Sequence, residues 1–228
     1  MTGSVEALET PVPTLVWDLP VRLTHWGLVA LVATCWATAE AGLTASHRVA
    51  GFGVLWLVLF RLYWGFSGSA SARFRGFLRG PRAVAAYART WLRKEHFPSV
   101  GHNPLGGWNV ALLLTLLGLQ VGLGLFAVDE FGLESGPLAR HISFEFGREV
   151  AGWHAVAFNV LASVIALHVG AVAAYFVLRR ENLVGPMLTG RKPLTPRQAR
   201  PLDLAPRWRA AAGLAGSGAI VAALAFLV

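Results

Sequence analysis

Residues 150–178 read VAGWHAVAFNVLASVIALHVGAVAAYFVL, an uncharged apolar run long enough to cross a bilayer as a helix. His154 and His168 stand fourteen residues apart within it. That spacing is close to four helical turns, so both imidazoles face the same way, roughly 21 Å apart along the axis. Ionisable side chains inside a membrane helix are costly and by default functional. Two on one face at two depths have the placement of axial ligands for two stacked haems. That arrangement requires two more histidines at matching depths on other helices.

The rest of the chain has the character of a polytopic membrane protein. Only 14% of its 228 residues are charged, and the mean hydropathy is +0.53. Further apolar segments run over 21–39, 49–66 and 108–128, and the Ala- and Gly-rich stretch 210–228 reads as a fifth span. The net charge of +8 would suggest nucleic-acid binding in a soluble protein. Here the basic residues lie in blocks between spans, so no nucleic-acid partner is expected. Residues 67–107 carry Arg73, Arg75, Arg79, Arg82, Arg89, Arg93 and Lys94 against Glu95, and residues 179–209 carry eight basic residues against Glu181 and Asp203. The 129–149 loop is acidic, with Asp129, Glu130, Glu134, Glu145 and Glu149 against Arg140 and Arg148. Under the positive-inside rule both basic segments and the N-terminus are cytoplasmic and the acidic loop lies outside. No basic n-region precedes an apolar h-region at the start, so the first apolar helix is expected to direct insertion. Residues 81–94 interleave arginines with Val84, Tyr87, Trp91 and Leu92, a pattern for a short amphipathic helix on anionic headgroups.

This topology assigns depths. His25 lies near the cytoplasmic start of the first span and His47 near the outer start of the second. On the fourth, His154 is outer and His168 nearer the cytoplasm. The histidines therefore pair as His25 with His168 and His47 with His154. These four are the expected metal ligands of two bis-histidine sites. A lone membrane histidine is commonly just hydrogen-bonded to a neighbouring helix; four that pair by depth fit that reading poorly. The single cysteine, Cys35, and the lack of a C-x-x-C-H site exclude covalent haem attachment, so the cofactor expected is non-covalent haem b. Two imidazoles saturate the iron and suit electron transfer. Thr24 and Ser163 are candidate acceptors for the second ring nitrogens. Arg22, Arg48 and Arg61 lie at or within span ends, where guanidinium groups can pair with haem propionates or snorkel to headgroups. His102 and Asn103, in a G-H-N-P turn, are candidates for a quinone site, although the turn also reads as a structural start to the third span. His96 and His141 read as solvated loop residues.

At these positions the sequence resembles the bacterial cytochrome b561 family, which includes the cytochrome b subunits of nickel–iron hydrogenases. The motifs are V-W-D-L-P-V-R-L-T-H-W at 16–26, R-L-Y-W-G-F-S-G at 61–68, A-R-F-R-G-F-L-R-G-P at 72–81, G-H-N-P-L-G-G at 101–107, and H-V at 168 followed by R-R-E-N-L-V-G-P-M-L-T-G-R-K at 179–192. The resemblance implies a four-helix bundle holding two b haems on histidines matching His25, His47, His154 and His168, and electron exchange with membrane quinone. The expected architecture is thus an all-α membrane protein. It has a cytoplasmic tail at 1–15, a di-haem transmembrane domain at 16–192, a basic linker at 193–209 and an added transmembrane helix at 210–228. Its expected place is the bacterial inner membrane, and its expected redox partner a c-type cytochrome or a hydrogenase subunit. Within the family, superoxide:quinone oxidoreduction is the alternative. From another class, a non-redox anchor or transporter using histidines as a proton relay would want repeated halves or broken helices. Neither is evident, nor is an H-E-x-x-H zinc motif.

Overall fold

The computed structural model describes residues 10–92 and 99–226. The start of the N-terminal tail and His96, Arg93, Lys94 and Glu95 lie outside the described residues. The elements follow in order as β1 (Val12–Leu15), α1 (Leu19–Glu40), α2 (Thr44–Ser67), α3 (Phe74–Phe77), α4 (Pro81–Leu92) and α5 (Pro104–Gly124). After a 3-10 turn at Ala139–His141 come α6 (Phe144–Arg179), α7 (Val184–Thr189), β2 (Arg191–Leu194) and α8 (Arg207–Ala225).

Caps set where the long helices begin. Asp18 accepts the Val21 amide at 2.9 Å, with Pro20 in the first turn of α1. Asn103 accepts the Gly106 amide at 2.7 Å ahead of Pro104 in α5, and Ser143 accepts the Phe146 amide at 3.2 Å in α6. These caps shift the boundaries expected from hydropathy. The third span, expected at 108–128, starts four residues earlier at its Asn-Pro cap and ends at Gly124. Val128 instead pairs with Ser135 in an isolated bridge. The helix expected over 150–178 extends back to Phe144 as one 36-residue rod, about 54 Å long against a hydrocarbon core of about 30 Å.

Among the described residues, α2, α5, α6 and α8 are long and apolar enough to cross a membrane. α1 has 22 residues, long enough to cross, but Arg22, Thr24, His25 and Glu40 interrupt its apolar run. The outer surface is apolar along the rods, as at Leu167, Val169, Phe176 and Val177 of α6. The chain is a multi-pass membrane protein built as a helical bundle.

α2 is the hub. It packs against α1, α5 and α8, while α6 lies closely along α5. No comparably close approach joins α6 to α1 or α2. An apolar layer at mid-height, Val54 and Val58 of α2, Leu117 of α5 and Leu161 of α6, fills the interior together with Leu28 and Leu31 of α1. A second core at the end bearing His25 joins Val16, Trp17, Val21, Phe60, Trp64 and Leu194. There β1 and β2 pair antiparallel, with Val12 opposite Leu194 and Leu15 opposite Arg191. This short sheet, absent from the all-α expectation, ties the segment before α1 to the segment after α7. Gly190, at φ 82°, makes the turn into β2, and its carbonyl accepts the Val16 and Trp17 amides at 2.8 and 3.1 Å. Lys192 adds a near-buried ion pair with Glu181 at 2.6 Å and donates to the Ser99 carbonyl at 2.7 Å.

α8 is held against α2 around Gly213 and Leu214. Trp56 Nε1 donates to the Leu214 carbonyl at 2.9 Å, and Gly213 leaves room for the Tyr63 ring. The preceding linker is sewn down by the Ala70 amide on the Asp203 carbonyl and the Ala205 amide on the buried Ser69 hydroxyl. α4 matches the expected amphipathic helix but is not merely laid on a surface. It packs on α5, and the Tyr87 hydroxyl hydrogen-bonds the Tyr175 hydroxyl of α6 at 2.9 Å.

Asp18 serves two structures at once, since its second carboxylate oxygen accepts from Trp64 Nε1 at 2.9 Å in the buried core. Asp18→Ala removes the cap and strands the indole N–H, and is expected to cost about 2 kcal/mol or more. A lowered thermal midpoint of the detergent-purified protein checks this, with Asp18→Asn retaining most of the loss.

Candidate functional site

Helix positions bring the four span histidines together as two pairs. His25 of α1 faces His168 of α6 with ring centroids 6.5 Å apart and planes at 60°. His47 of α2 faces His154 of α6 at 6.2 Å and 84°. The rings bridge the gap that α6 keeps from α1 and α2. On α6 itself His154, Leu161, His168 and Tyr175 recur every seven residues, so two imidazole layers are separated by the apolar layer around Leu161.

The second ring nitrogens are differently held. His47 Nδ1 lies 2.8 Å from the Cys35 carbonyl of α1, and His154 Nδ1 lies 2.9 Å from the Gln120 carbonyl of α5. A carbonyl only accepts, so both Nδ1 atoms carry the proton and both Nε2 atoms keep a lone pair. The Gln120 side chain also places its amide nitrogen 3.1 Å from His154 Nε2 and leaves its Oε1 buried without a partner. His168 Nδ1 meets the side-chain amide of Asn109 on α5 at 2.9 Å, and His25 Nδ1 is buried with no partner. Ser163, expected to support a ring, instead donates to the Asn159 carbonyl of its own helix at 2.8 Å. The supports are Cys35, Gln120 and Asn109. Asn109 and Gln120 are amides in an otherwise apolar span, eleven residues and thus three turns apart on one face. That polarity was a usable signal in the sequence.

Two facing imidazoles suit a metal held from both sides. A first-row ion bound by an imidazole nitrogen on each side at about 2 Å separates the ring centroids by roughly 6 Å. Among the described residues no three His, Cys, Asp or Glu side chains converge as a metal site. The protein donors come in twos, so an iron here takes its remaining ligands from a macrocycle. Gly124 provides a cradle, since a Cβ there would sit 3.1 Å from His154 Cε1. The residues present fit a bis-imidazole haem at each level.

The remaining candidates scatter towards the two ends. Arg22, one turn before His25, donates to the Leu188 carbonyl, and its Nε is buried without a partner. Arg61 is buried, with its guanidinium 5.1 Å from the Phe74 ring centre and Nη1 unpartnered. Arg48, beside His47, pairs with Glu134 at 3.2 Å and donates to the Ser135 carbonyl at 3.3 Å. His102 lies between the Trp17 and Phe77 rings, each at 4.5 Å, with Nδ1 sealed from solvent and unpartnered. Burial pushes its imidazole down to about 3, and the Arg61 charge adds to the effect. Asn103 is the α5 cap and also donates to the Tyr175 hydroxyl at 3.0 Å. Burial and the Tyr175 hydrogen bond push the Tyr87 phenol upward. His141, expected in solvent, is exposed, with Arg140 Nε donating to its Nε2 at 3.4 Å.

The sequence profile described as prokaryotic cytochrome b561 matches residues 16–190, the segment that carries both histidine pairs. The chain belongs to the prokaryotic cytochrome b561 family. A relative in Azotobacter chroococcum mcd 1, "Probable Ni/Fe-hydrogenase B-type cytochrome subunit", is 24% identical over 81% of this chain and 90% of its own length. No solved structure matches. This b561-family protein is accordingly a membrane b-type cytochrome of electron transfer, with haem b as its cofactor. α8 lies beyond the matched segment.

Two outcomes follow from the geometry. Gly124→Val pushes the His154 ring from its place and is expected to reduce haem content, read as the haem-to-protein ratio. His102 is neutral in the fold and titrates near 6.5 when unfolded, so the unfolded chain binds the extra proton between those values. Stability is therefore full above about 6.5 and is lost as pH falls towards about 3. His102→Gln is expected to flatten that acid limb in thermal midpoints measured across pH.

Proposed function

We propose that this b561-family protein is a two-haem conduit carrying electrons between membrane quinone and a redox protein on the outer side of the bacterial inner membrane. The single observation that carries this reading is the pair of facing imidazole sets on α6, at two depths with ligand-like separations. His25 and His168 hold the inner haem b, and His47 and His154 the outer one. Each haem supplies an iron centre that takes up and gives back one electron. The protein's own groups do the rest. Cys35 and Gln120 carbonyls fix the outer rings in the Nδ1–H form. The Leu161 layer keeps water from linking the two levels. Arg61, with Nη1 unpartnered, is the guanidinium left for a propionate, since Arg48 is held by Glu134 and Arg22 by the Leu188 carbonyl.

The basic 67–107 and 179–209 segments put the N-terminus and the His25 end in the cytoplasm. Quinone exchange is assigned to that end. There His102 is neutral with its buried Nδ1 unpartnered, and Asn103, Tyr175 and Tyr87 form a hydrogen-bonded polar chain towards the same end. At the other end Asp129, Glu130 and Glu134 surround the exposed Phe131 and Leu133, a surface suited to a positively rimmed protein. A hydrogenase subunit fits, in keeping with the name of the Azotobacter relative, as does a c-type cytochrome. Superoxide, an anion, is less suited, because Glu134 neutralises Arg48 beside the outer pair.

Reduced-minus-oxidised spectra with a haem-to-protein ratio test the reading. Two haems per chain are expected, falling to one in His154→Ala, which loses the outer haem, and to one in His168→Ala, which loses the inner. An unchanged ratio in both variants contradicts the ligand assignment.

A further inference from the structure

The two imidazole pairs are not equivalent in what lies behind them. A ring N–H donated to an acceptor pushes electron density towards the opposite nitrogen and makes it a stronger metal donor. Stronger donation stabilises the ferric state and lowers the potential. Behind the outer pair stand two main-chain carbonyls, Cys35 at 2.8 Å and Gln120 at 2.9 Å. Behind the inner pair stand one side-chain amide, Asn109 at 2.9 Å, and nothing at all for His25 Nδ1. Iron on His168 Nε2 requires the proton on Nδ1. A half-turn of the Asn109 carboxamide then presents Oδ1 as its acceptor.

Fixed charge acts in the same direction. A cation near an iron favours the less positive, reduced state. Arg48, next to His47, is offset by Glu134 at 3.2 Å. Arg22, one turn before His25, gives its hydrogen bond to a neutral carbonyl, that of Leu188.

We infer that these unequal surroundings order the two irons, the His47/His154 centre having the lower midpoint potential and the His25/His168 centre the higher, with Asn109 the positioning residue that tunes the inner one. This rests on the two-haem reading above. In the direction so favoured, one electron would pass from a ferrous centre held by His47 and His154, left ferric, to a ferric centre held by His25 and His168, left ferrous. No proton accompanies it, since the outer protons stay on Nδ1, hydrogen-bonded to the Cys35 and Gln120 carbonyls. The electron enters from a one-electron carrier outside. At the inner end, two such electrons with two protons reduce a quinone to a quinol.

The test is a potentiometric titration of the full-length purified protein, followed by visible absorbance, with haem-to-protein ratios taken on every sample. The wild type is expected to titrate in two one-electron steps, and His154→Ala to keep the higher one. Should that variant lose both haems, Gly124→Ala, which crowds only His154, identifies the outer step by shifting it. Asn109→Asp, a stronger acceptor for Nδ1–H, is expected to lower the inner step by roughly tenfold in electron partition, about 59 mV. Asn109→Leu is expected to raise it, and both variants leave the outer step in place. Asn109→Thr, which restores an acceptor, returns the step towards the wild-type value and replaces the leucine variant if that one loses haem. Survival of the lower step in His154→Ala, or an inner step unmoved by Asn109 variants that retain both haems, overturns the ordering. A wild-type ratio other than two overturns the underlying reading instead, so the two failures are distinct.

Discussion

Everything in this bundle turns on a separation that the backbone keeps and the imidazoles span. α6 leans on α5 and stands off from α1 and α2, and the histidines of α1 and α2 reach across to it at two levels. The seven-residue recurrence on α6 makes this possible. It puts His154, Leu161, His168 and Tyr175 on one face, so that polar and apolar layers alternate along a single rod. Sealing the middle with Leu161, Val54, Val58 and Leu117 gives the bundle a core without closing the levels above and below it.

Much of this arrangement was legible in the chain, and for a definite reason. In a membrane helix, distance along the sequence is depth, and loop charge fixes direction, so histidines on different helices can be matched before any contact is known. His25 with His168 and His47 with His154 are the partners in the structure. The supports behind them were not legible, because which neighbour Asn109 and Gln120 address depends on how α5 is rotated in the bundle. Only their polarity within an apolar span marked them. Ser163 shows the converse, a hydroxyl at a plausible height that bonds its own helix.

The misses in the fold have equally local causes. β1 and β2 are four residues each and contain Pro13 and Pro193, too short and too interrupted for an alternating pattern to register. Hydropathy placed the start of α5 at Trp108, whereas the Asn103 cap and Pro104 decide it. In α1 the polar group Arg22, Thr24 and His25 sits at the end that packs against the second core and interrupts the apolar run of the helix.

The dry middle layer has an electrical meaning. With about 21 Å between the imidazole levels in a hydrocarbon core of about 30 Å, a charge shifted from one level to the other crosses roughly two thirds of the insulator. A full crossing is worth about 2.3 kcal/mol per elementary charge at 100 mV. The buried side chains of that layer, Val54, Val58, Leu117 and Leu161, carry no proton-exchanging group. In the proposed conduit, traffic along α6 would be a current through the dielectric, and an energised membrane, negative within, would push back against every electron that travels inward.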